Sequence, residues 1–412
     1  MAMEVVKKKV KKQLRQLGVK RAHLNVLQYW VPYTFMNGRA LAPDAITVEL
    51  TFRCNLSCQM CPLDIPRVMY NRANHEYVAE RKKEELTTAE VCALVDDVAA
   101  MGVKRITLTG GEAFLRTDIF EILARVKERG LRVCVNTNGW FLTKAHARRV
   151  VEMGIDEMSI SVDGPNETHD VIRRREGSFK HILDSLTNLQ EAQRELGRST
   201  PSVGITCTIS ALNQHNFSEV LDWLKDYKVI TSLEFEYMFY TERWAEKATE
   251  KLIPLPVAPK EEDQVLPFYL RDVDVDVFYE QVQQTLAKAK AYKLNAAFQP
   301  PITTKDGIGK RFFDVTHSYV ETCFYPWKAA RVNPYGDVYS CSIDVAFGNI
   351  RQAPFSQLWN GEAYQVFRRT LKQQGIFPKC TKCCALSDRL WDQLPHIKLP
   401  APTASHSPKA SH

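Results

Sequence analysis

From residue 45 to about residue 240 the chain alternates short β-rich runs with helical stretches. This alternation narrows the fold more than any other feature, because strands interleaved with helices build parallel sheets of βα units. The runs are "AITVELTF" from 45, "RITLTG" from 105, "RVCVNTNG" from 132, "EMSISVDG" from 157, "VGITCTIS" from 203 and "SLEFEYMF" from 232. Helices are predicted over 88–101, 118–129, 143–153 and 179–195, with Gly102, Gly130 and Gly154 placed as C-terminal stops. A further helix over 276–292 and a last strand near 294–299 follow. The expected fold class is α/β, with six strands making a partial barrel.

Strand side chains alternate between two faces, so parity sorts each run into a helix-covered side and an interior side. One parity is apolar: Ile46, Val48 and Leu50; Ile106 and Leu108; Val133 and Val135; Met158, Ile160 and Val162; Ile205, Cys207 and Ile209; Leu233, Phe235 and Tyr237. The other carries Glu49, Thr51, Thr107, Thr109, Asn136, Asn138, Ser159, Ser161, Asp163, Thr206, Thr208, Glu234 and Glu236. A closed small barrel fills its interior with apolar side chains. The polar lining therefore implies an open lumen that holds a ligand.

Of the 412 residues 45% are hydrophobic and 25% charged, the balance of a globular enzyme. No apolar run is long enough to span a bilayer and no export signal is visible, so a cytoplasmic location is expected. In that reducing compartment the 11 cysteines are expected to bind metal rather than to form disulfides. The net charge of +7 is confined to one segment. Residues 1–21 hold Lys7, Lys8, Lys9, Lys11, Lys12, Arg15, Lys20 and Arg21 against Glu4 alone, and the remainder is neutral. Val6, Val10, Leu14 and Leu17 recur there at helical spacing, so the segment reads as an amphipathic helix. It would lie on an anionic membrane surface, a partner or the body of the protein. Confinement of the excess cations argues against a nucleic-acid partner. The expected domains are a basic helical segment 1–44, a partial barrel 45–300 with an insertion or lid at 241–275, a cysteine-rich domain 301–395 and a disordered tail 396–412.

Directly after the first strand comes "TFRCNLSCQMCPLD", with Cys54, Cys58 and Cys61. Three thiolates hold three irons of a 4Fe-4S cluster and leave the fourth open, whereas structural sites close with four ligands. A zinc site completed by Asp64 is the rival reading. The CxxxCxxC spacing resembles the radical S-adenosylmethionine (SAM) enzymes, whose open iron is chelated by the amino and carboxylate groups of the methionine moiety. The resemblance extends over about residues 45–240, with each match at the carboxyl end of a strand, where open α/β folds bind ligands. "TGGE" at 109–112 resembles the family's Gly-Gly-Glu motif: Gly110 and Gly111 would let backbone approach the ligand, and Glu112 would receive the methionine ammonium. Asn136, Asn138, Ser161 and Asp163 stand where the family contacts ribose and methionine. "HDVIR" at 169–173 looks like the segment whose arginine, here Arg173, pairs with the methionine carboxylate. Met60 replaces the family's common aromatic and would still offer apolar contact to adenine. The resemblance implies reductive cleavage of SAM to methionine and a hydrogen-abstracting 5′-deoxyadenosyl radical, with an electron donor such as flavodoxin or ferredoxin.

Near the C-terminus, Cys323, Cys341 in a GxxxxC after Gly336, and Cys380, Cys383 and Cys384 in "CTKCCAL" resemble the SPASM and twitch domains, extensions that hold auxiliary 4Fe-4S clusters. No cysteine follows Cys384, so the shorter, twitch-like version is expected, with one auxiliary cluster on Cys323, Cys341, Cys380 and Cys383. Cys384 reads as a substitute ligand, a working thiol or a bland neighbour. A four-cysteine zinc site is the alternative. Cys92, Cys134 and Cys207 read as ordinary buried or lumen cysteines.

Glu234 and Glu236 both point into the lumen by parity, and two buried carboxylates require partners. Those would be a cationic or polyhydroxylated substrate such as an aminosugar or aminocyclitol, a lumen cation such as Lys328 or Arg331, or SAM itself packed against them. The leading expectation is a small polar substrate oxidised through the auxiliary cluster. A ribosomal peptide is the alternative, disfavoured because only 44 residues precede the first strand. An epimerisation with a lumen thiol such as Cys134 as hydrogen donor, and a zinc-stabilised nucleic-acid-binding or scaffold protein, are further alternatives.

Overall fold

A computed structural model describes residues 29–61, 84–256, 272–341, 343 and 345–384. The basic segment 1–21, Asp64, residues 257–271 of the expected lid and the tail 396–412 lie outside the described residues.

The six expected strands form as β1 (Ala45–Glu49), β2 (Arg105–Thr109), β3 (Arg132–Thr137), β4 (Glu157–Ser161), β5 (Ser202–Ile209) and β6 (Ile230–Tyr237), with β7 (Ala296–Gln299) as the seventh. All seven pair in parallel in chain order. Helices α1 (Thr88–Met101), α2 (Ile119–Glu128), α3 (Lys144–Glu152), α4 (Asn166–Arg173) and α5 (Ser178–Leu196) connect successive strands. Their boundaries follow local chemistry. Thr87 and Glu90 form a reciprocal capping box at the start of α1, and Gly102, at φ 89°, ends it by donating to Ala99 and Val98. Val91, Leu94, Val95 and Val98 form its buried face, each worth about 1.5–3 kcal/mol.

The parity rule holds along the sheet: Ile46, Val48, Ile106, Leu108, Val135, Ile160, Ile205 and Phe235 are buried. Thr47, Glu49, Asn136, Ser161 and Glu236 stay half-open on the other face.

The C-terminal segment adds strands to the same sheet. Ala329–Val332 (β8) pairs in parallel with β1, and Val338–Tyr339 (β9) pairs antiparallel with β8. The sheet is therefore nine-stranded, in the order β7-β6-β5-β4-β3-β2-β1-β8-β9. The physical reason is the free edge that β1 would otherwise present. Trp327, Phe355, Trp359, Phe367 and Phe377 join the same core as the barrel strands. Within the expected insertion or lid, Arg243–Leu252 (α6) is a helix whose Ala245 and Thr249 are buried. The helix over Val275–Tyr292 (α7) forms as expected, and Lys305–Phe313 (α8) follows β7. Among the described residues no helix is long and apolar enough to cross a membrane.

Candidate functional site

The cysteine loop leaves β1 and is pinned by the end of β2. Gly111 N–H donates to Thr51 O at 2.6 Å and Glu112 N–H to Arg53 O at 2.9 Å. A Cβ on Gly110 would lie 2.2 Å from Thr51 O, and one on Gly111 2.2 Å from Arg53 O. In this structure the backbone whose close approach these glycines permit is that of the cysteine loop itself. Gly111→Ala is expected to cost about 3 kcal/mol, an overpacking penalty against backbone that cannot rotate away, and to lower iron uptake at Cys54, Cys58 and Cys61. Urea unfolding and iron analysis of the variant check this.

Leu56, Cys58 and Met60 turn into a small apolar cluster with Ile172, Met238 and Tyr240, separate from the main core. Helix α4 and its C-terminal end hold the loop from the other side. Gln59 donates its N–H to Ile172 O (2.9 Å) and its amide to Val171 O (2.9 Å). Arg175 donates to Asn55 O at 2.6 Å and stacks 3.7 Å over the Trp140 ring. Thr51 donates to Glu85 at 2.5 Å, and Arg53 pairs with the same carboxylate. Sequence reasoning missed Glu85 and Arg175, which sit in charged runs with no distinguishing spacing.

Around this loop stand the other expected residues. Glu112 is 1% exposed and accepts from Asn138 N–H (2.8 Å), Phe114 N–H (3.1 Å) and the Thr137 hydroxyl (2.9 Å). Burial raises its pKa against the pull of those donors. The Asn138 amide donates to Asn55 (2.8 Å) and faces Cys54 Sγ at 3.7 Å. Arg173 Nη1 lies 3.6 Å from Cys58 Sγ, and its Nη2 lies 2.6 Å from Asp163 Oδ2. Burial opposes the charge of Arg173, but Asp163 and the Cys58 and Cys61 thiols outweigh it and raise its pKa. Burial likewise pushes Asp163 up, against Arg173 and the Thr208 N–H. The pair is close yet badly aligned: Asp163 Oδ2 and Arg173 Nε both lack a hydrogen bond. His169 Nδ1 accepts from Asp163 N–H at 3.1 Å, and Asn213 donates to Asp163 O at 2.7 Å; neither partner was foreseen. Asn136 lies beside Cys134, 3.7 Å from its thiol, and Ser161 is half-buried on the same face. Cys134 is buried, and burial pushes its thiol up to about 11.

The residues fit a three-thiolate cluster with SAM on its open iron. Cys54, Cys58 and Cys61 would hold the cluster, and Arg173, with an unused Nε, suits a carboxylate. Glu112 is the carboxylate that would receive the ammonium.

At the C-terminal site Cys323 N–H donates to Gly375 O (3.2 Å) and Cys383 N–H to Cys380 O (2.9 Å). Burial pushes the Cys380 thiol well up, with Cys341 and Cys323 adding to it. Cys384 and burial do the same to Cys383. Among the described residues no three His, Cys, Asp or Glu side chains converge as one metal ion requires. A structural zinc needs each sulfur at about 2.3 Å, whereas cluster thiolates are spread over separate irons. Lys379, buried between Pro378 and Cys380, donates its N–H to Thr249 on α6 at 2.9 Å.

Glu234 and Glu236 face the lumen without the expected cation. Arg331 pairs with Glu49 instead, and Lys328 lies 5.0 Å over the Tyr29 ring. Among the described residues neither glutamate has an ion pair. Partial desolvation raises Glu234, and deeper burial raises Glu236 to about 8, with Cys384, Glu234 and Asp163 adding repulsion.

Family comparison agrees with this geometry. Residues 48–226 match the profile of the Radical SAM superfamily, and residues 323–384 match that of an iron-sulfur cluster-binding domain, SPASM. The chain belongs to the radical SAM superfamily. As a radical SAM enzyme with a SPASM domain it takes SAM, a 4Fe-4S cluster and auxiliary iron-sulfur, and it needs an electron donor. It is 28% identical over 347 residues to the AdoMet-dependent heme synthase of Methanosarcina barkeri, covering 83% of this chain and 88% of that protein. It is 31% identical to the sporulation killing factor maturation protein SkfB of Bacillus subtilis over 44% of this chain and 39% of that one. The crystal structure of Streptococcus suis SuiB matches with a TM-score of 0.58 at 11% identity, covering 93% of this radical SAM enzyme and 83% of SuiB, a likeness of fold.

Proposed function

We propose that this enzyme oxidises a small polar molecule in the lumen: a hydrogen atom is removed from a carbon of the substrate, and the electron and proton left behind pass to the auxiliary site and to a lumen carboxylate. When bound, SAM and its cluster supply the hydrogen-abstracting radical, consuming one electron from a donor protein and releasing methionine and 5′-deoxyadenosine. One auxiliary cluster, on Cys323, Cys341, Cys380 and Cys383, would accept the second electron.

The observation that carries the reading is the pair Glu234 and Glu236, aimed into the lumen with no ion-pair partner among the described residues. Glu234 remains solvent-open and suits an ammonium or hydroxyl-bearing substrate of the aminosugar or aminocyclitol kind. Glu236, held near pH 8 by burial, sits in the range where a carboxylate is an effective base at neutral to mildly alkaline pH.

Substrate oxidation is therefore expected to rise with pH through about 8. Glu236→Gln should flatten that limb and slow product formation by about 10²-fold, while 5′-deoxyadenosine still forms. The same group affects stability with a definite sign. Its folded pKa lies above the ordinary value of 4.5, so the unfolded chain loses the proton first. Stability falls as pH rises from about 4.5 towards 8, and the Gln variant should lose less over that window.

A second reading has one specific support. A heme synthase aligns with 88% of its own length to this chain, which favours a step of heme synthesis. Incubating the reconstituted enzyme with SAM and dithionite, and separately with an aminocyclitol, an aminosugar and an iron porphyrin, decides between the two. Substrate-dependent deoxyadenosine with the amines supports the first reading, and with the porphyrin alone it overturns the first in favour of the second.

A further inference from the structure

Half of the buried arginines and lysines among the described residues have a carboxylate beside them. Arg116 has Asp118, Arg173 has Asp163, and Lys379 has Glu246 at 3.8 Å. Arg368 lacks one, but its Nε and Nη1 donate to Pro326, Gly38 and Trp359 oxygens, and it lies 4.1 Å from both the Trp359 and Tyr364 rings. Arg311 is different. It is 3% exposed, its Nη2 donates to Tyr237 O (3.3 Å) and Met238 O (2.7 Å), and its Nε has no partner. Among the described residues no carboxylate pairs with it. A second cation stands close by: the buried Lys382 ammonium donates to Lys310, Asp314 and His317 carbonyls at 2.8, 2.6 and 3.0 Å, and repels Arg311. An uncompensated buried charge is strongly destabilising, and two side by side are worse. The groups of opposite character facing Arg311 are Tyr240, whose ring centre lies 5.6 Å from the guanidinium, then the thiols of Cys384 and Cys383, and Tyr237.

We infer that Arg311, with Lys382 beside it, is the counter-ion of the auxiliary cluster and raises its readiness to accept an electron. The inference rests on the assignment of Cys323, Cys341, Cys380 and Cys383 as cluster ligands. A four-thiolate 4Fe-4S cluster is a net anion and gains a further negative charge on reduction, so a fixed nearby cation stabilises the reduced form more. A dry surrounding strengthens that effect. The placement also has a direction. Arg311 is bonded to the C-terminal end of β6, the strand that carries Glu234 and Glu236, while Lys382 fastens the Cys380–Cys383 turn to the end of α8. The cation thus lies between the lumen, where an electron is released, and the site that receives it.

The test is a potentiometric titration of the fully reconstituted chain followed by electron paramagnetic resonance, reading the cluster signal that does not change when SAM is added. Arg311→Gln is expected to lower that midpoint potential, and Arg311→Lys, which keeps the charge but not the guanidinium geometry, to leave it near the parent value. Loss of the auxiliary irons from the Gln variant but not from the Lys variant would support the same charge requirement. An unchanged potential in Arg311→Gln with full iron, or equal shifts or equal iron loss in both variants, would overturn it. A parent protein that binds only about four irons would remove the auxiliary assignment itself, and the inference with it.

Discussion

Replacing Cys58 with alanine is expected to halve the iron of the reconstituted enzyme, from about eight to about four per chain, and to abolish 5′-deoxyadenosine formation. Cys58 is buried, and its neighbours Leu56, Met60 and Ile172 pack on it as on a small apolar side chain. Alanine keeps part of that contact, so the loop stays folded against α4 through Gln59 and Arg175. What disappears is one of three thiolates, and a cluster held by two has too few protein ligands to persist. The SPASM cysteines belong to another stretch of the chain, residues 323–384, and their iron should be unaffected. Iron analysis with a deoxyadenosine assay on the same sample checks both halves.

The second large effect concerns Asp163 and Arg173. Both are buried, and each is the other's principal charge. In the iron-free protein Asp163→Asn should cost about 3–5 kcal/mol, because the guanidinium is left buried without its carboxylate. With the cluster in place the loss should be smaller, since the thiolates of Cys58 and Cys61 also face Arg173. Arg173→Met should weaken SAM binding as well, as its unpaired Nε suits the methionine carboxylate. Combining the two changes should cost less than the sum of the single costs, the signature of a coupled pair. Urea unfolding of the four proteins, with and without iron, measures each term.

How much of this was visible beforehand depended on whether a residue's role is periodic or spatial. The strands from Ala45 to Tyr237 and their polar lining were legible because strand parity has a period of two, and the three cysteines because their spacing is short and local. The contact that Gly110 and Gly111 make with the cysteine loop was not legible, since Thr51 O and Arg53 O lie more than fifty residues away in sequence. Strand β8 was missed as part of the sheet because "AARV" has no length or alternation to mark it; only the open edge of β1 selects it. The partners of Glu234 and Glu236 were misassigned because Arg331 is taken by Glu49, a pairing set by the register of β1 with β8. Arg311 gave no signal at all: in "GKRFF" it reads as an exposed helix charge, and its burial appears only when α8 packs under the end of β6.

The most direct single measurement is anaerobic reconstitution with iron and sulfide, followed by an iron count and a deoxyadenosine assay with dithionite and SAM. About eight irons per chain, with deoxyadenosine formed, is the expected result for a SAM-binding cluster and one auxiliary cluster. About four irons with deoxyadenosine formed would contradict electron transfer to an auxiliary cluster, and zinc in both cysteine sets with no deoxyadenosine would contradict the radical chemistry altogether.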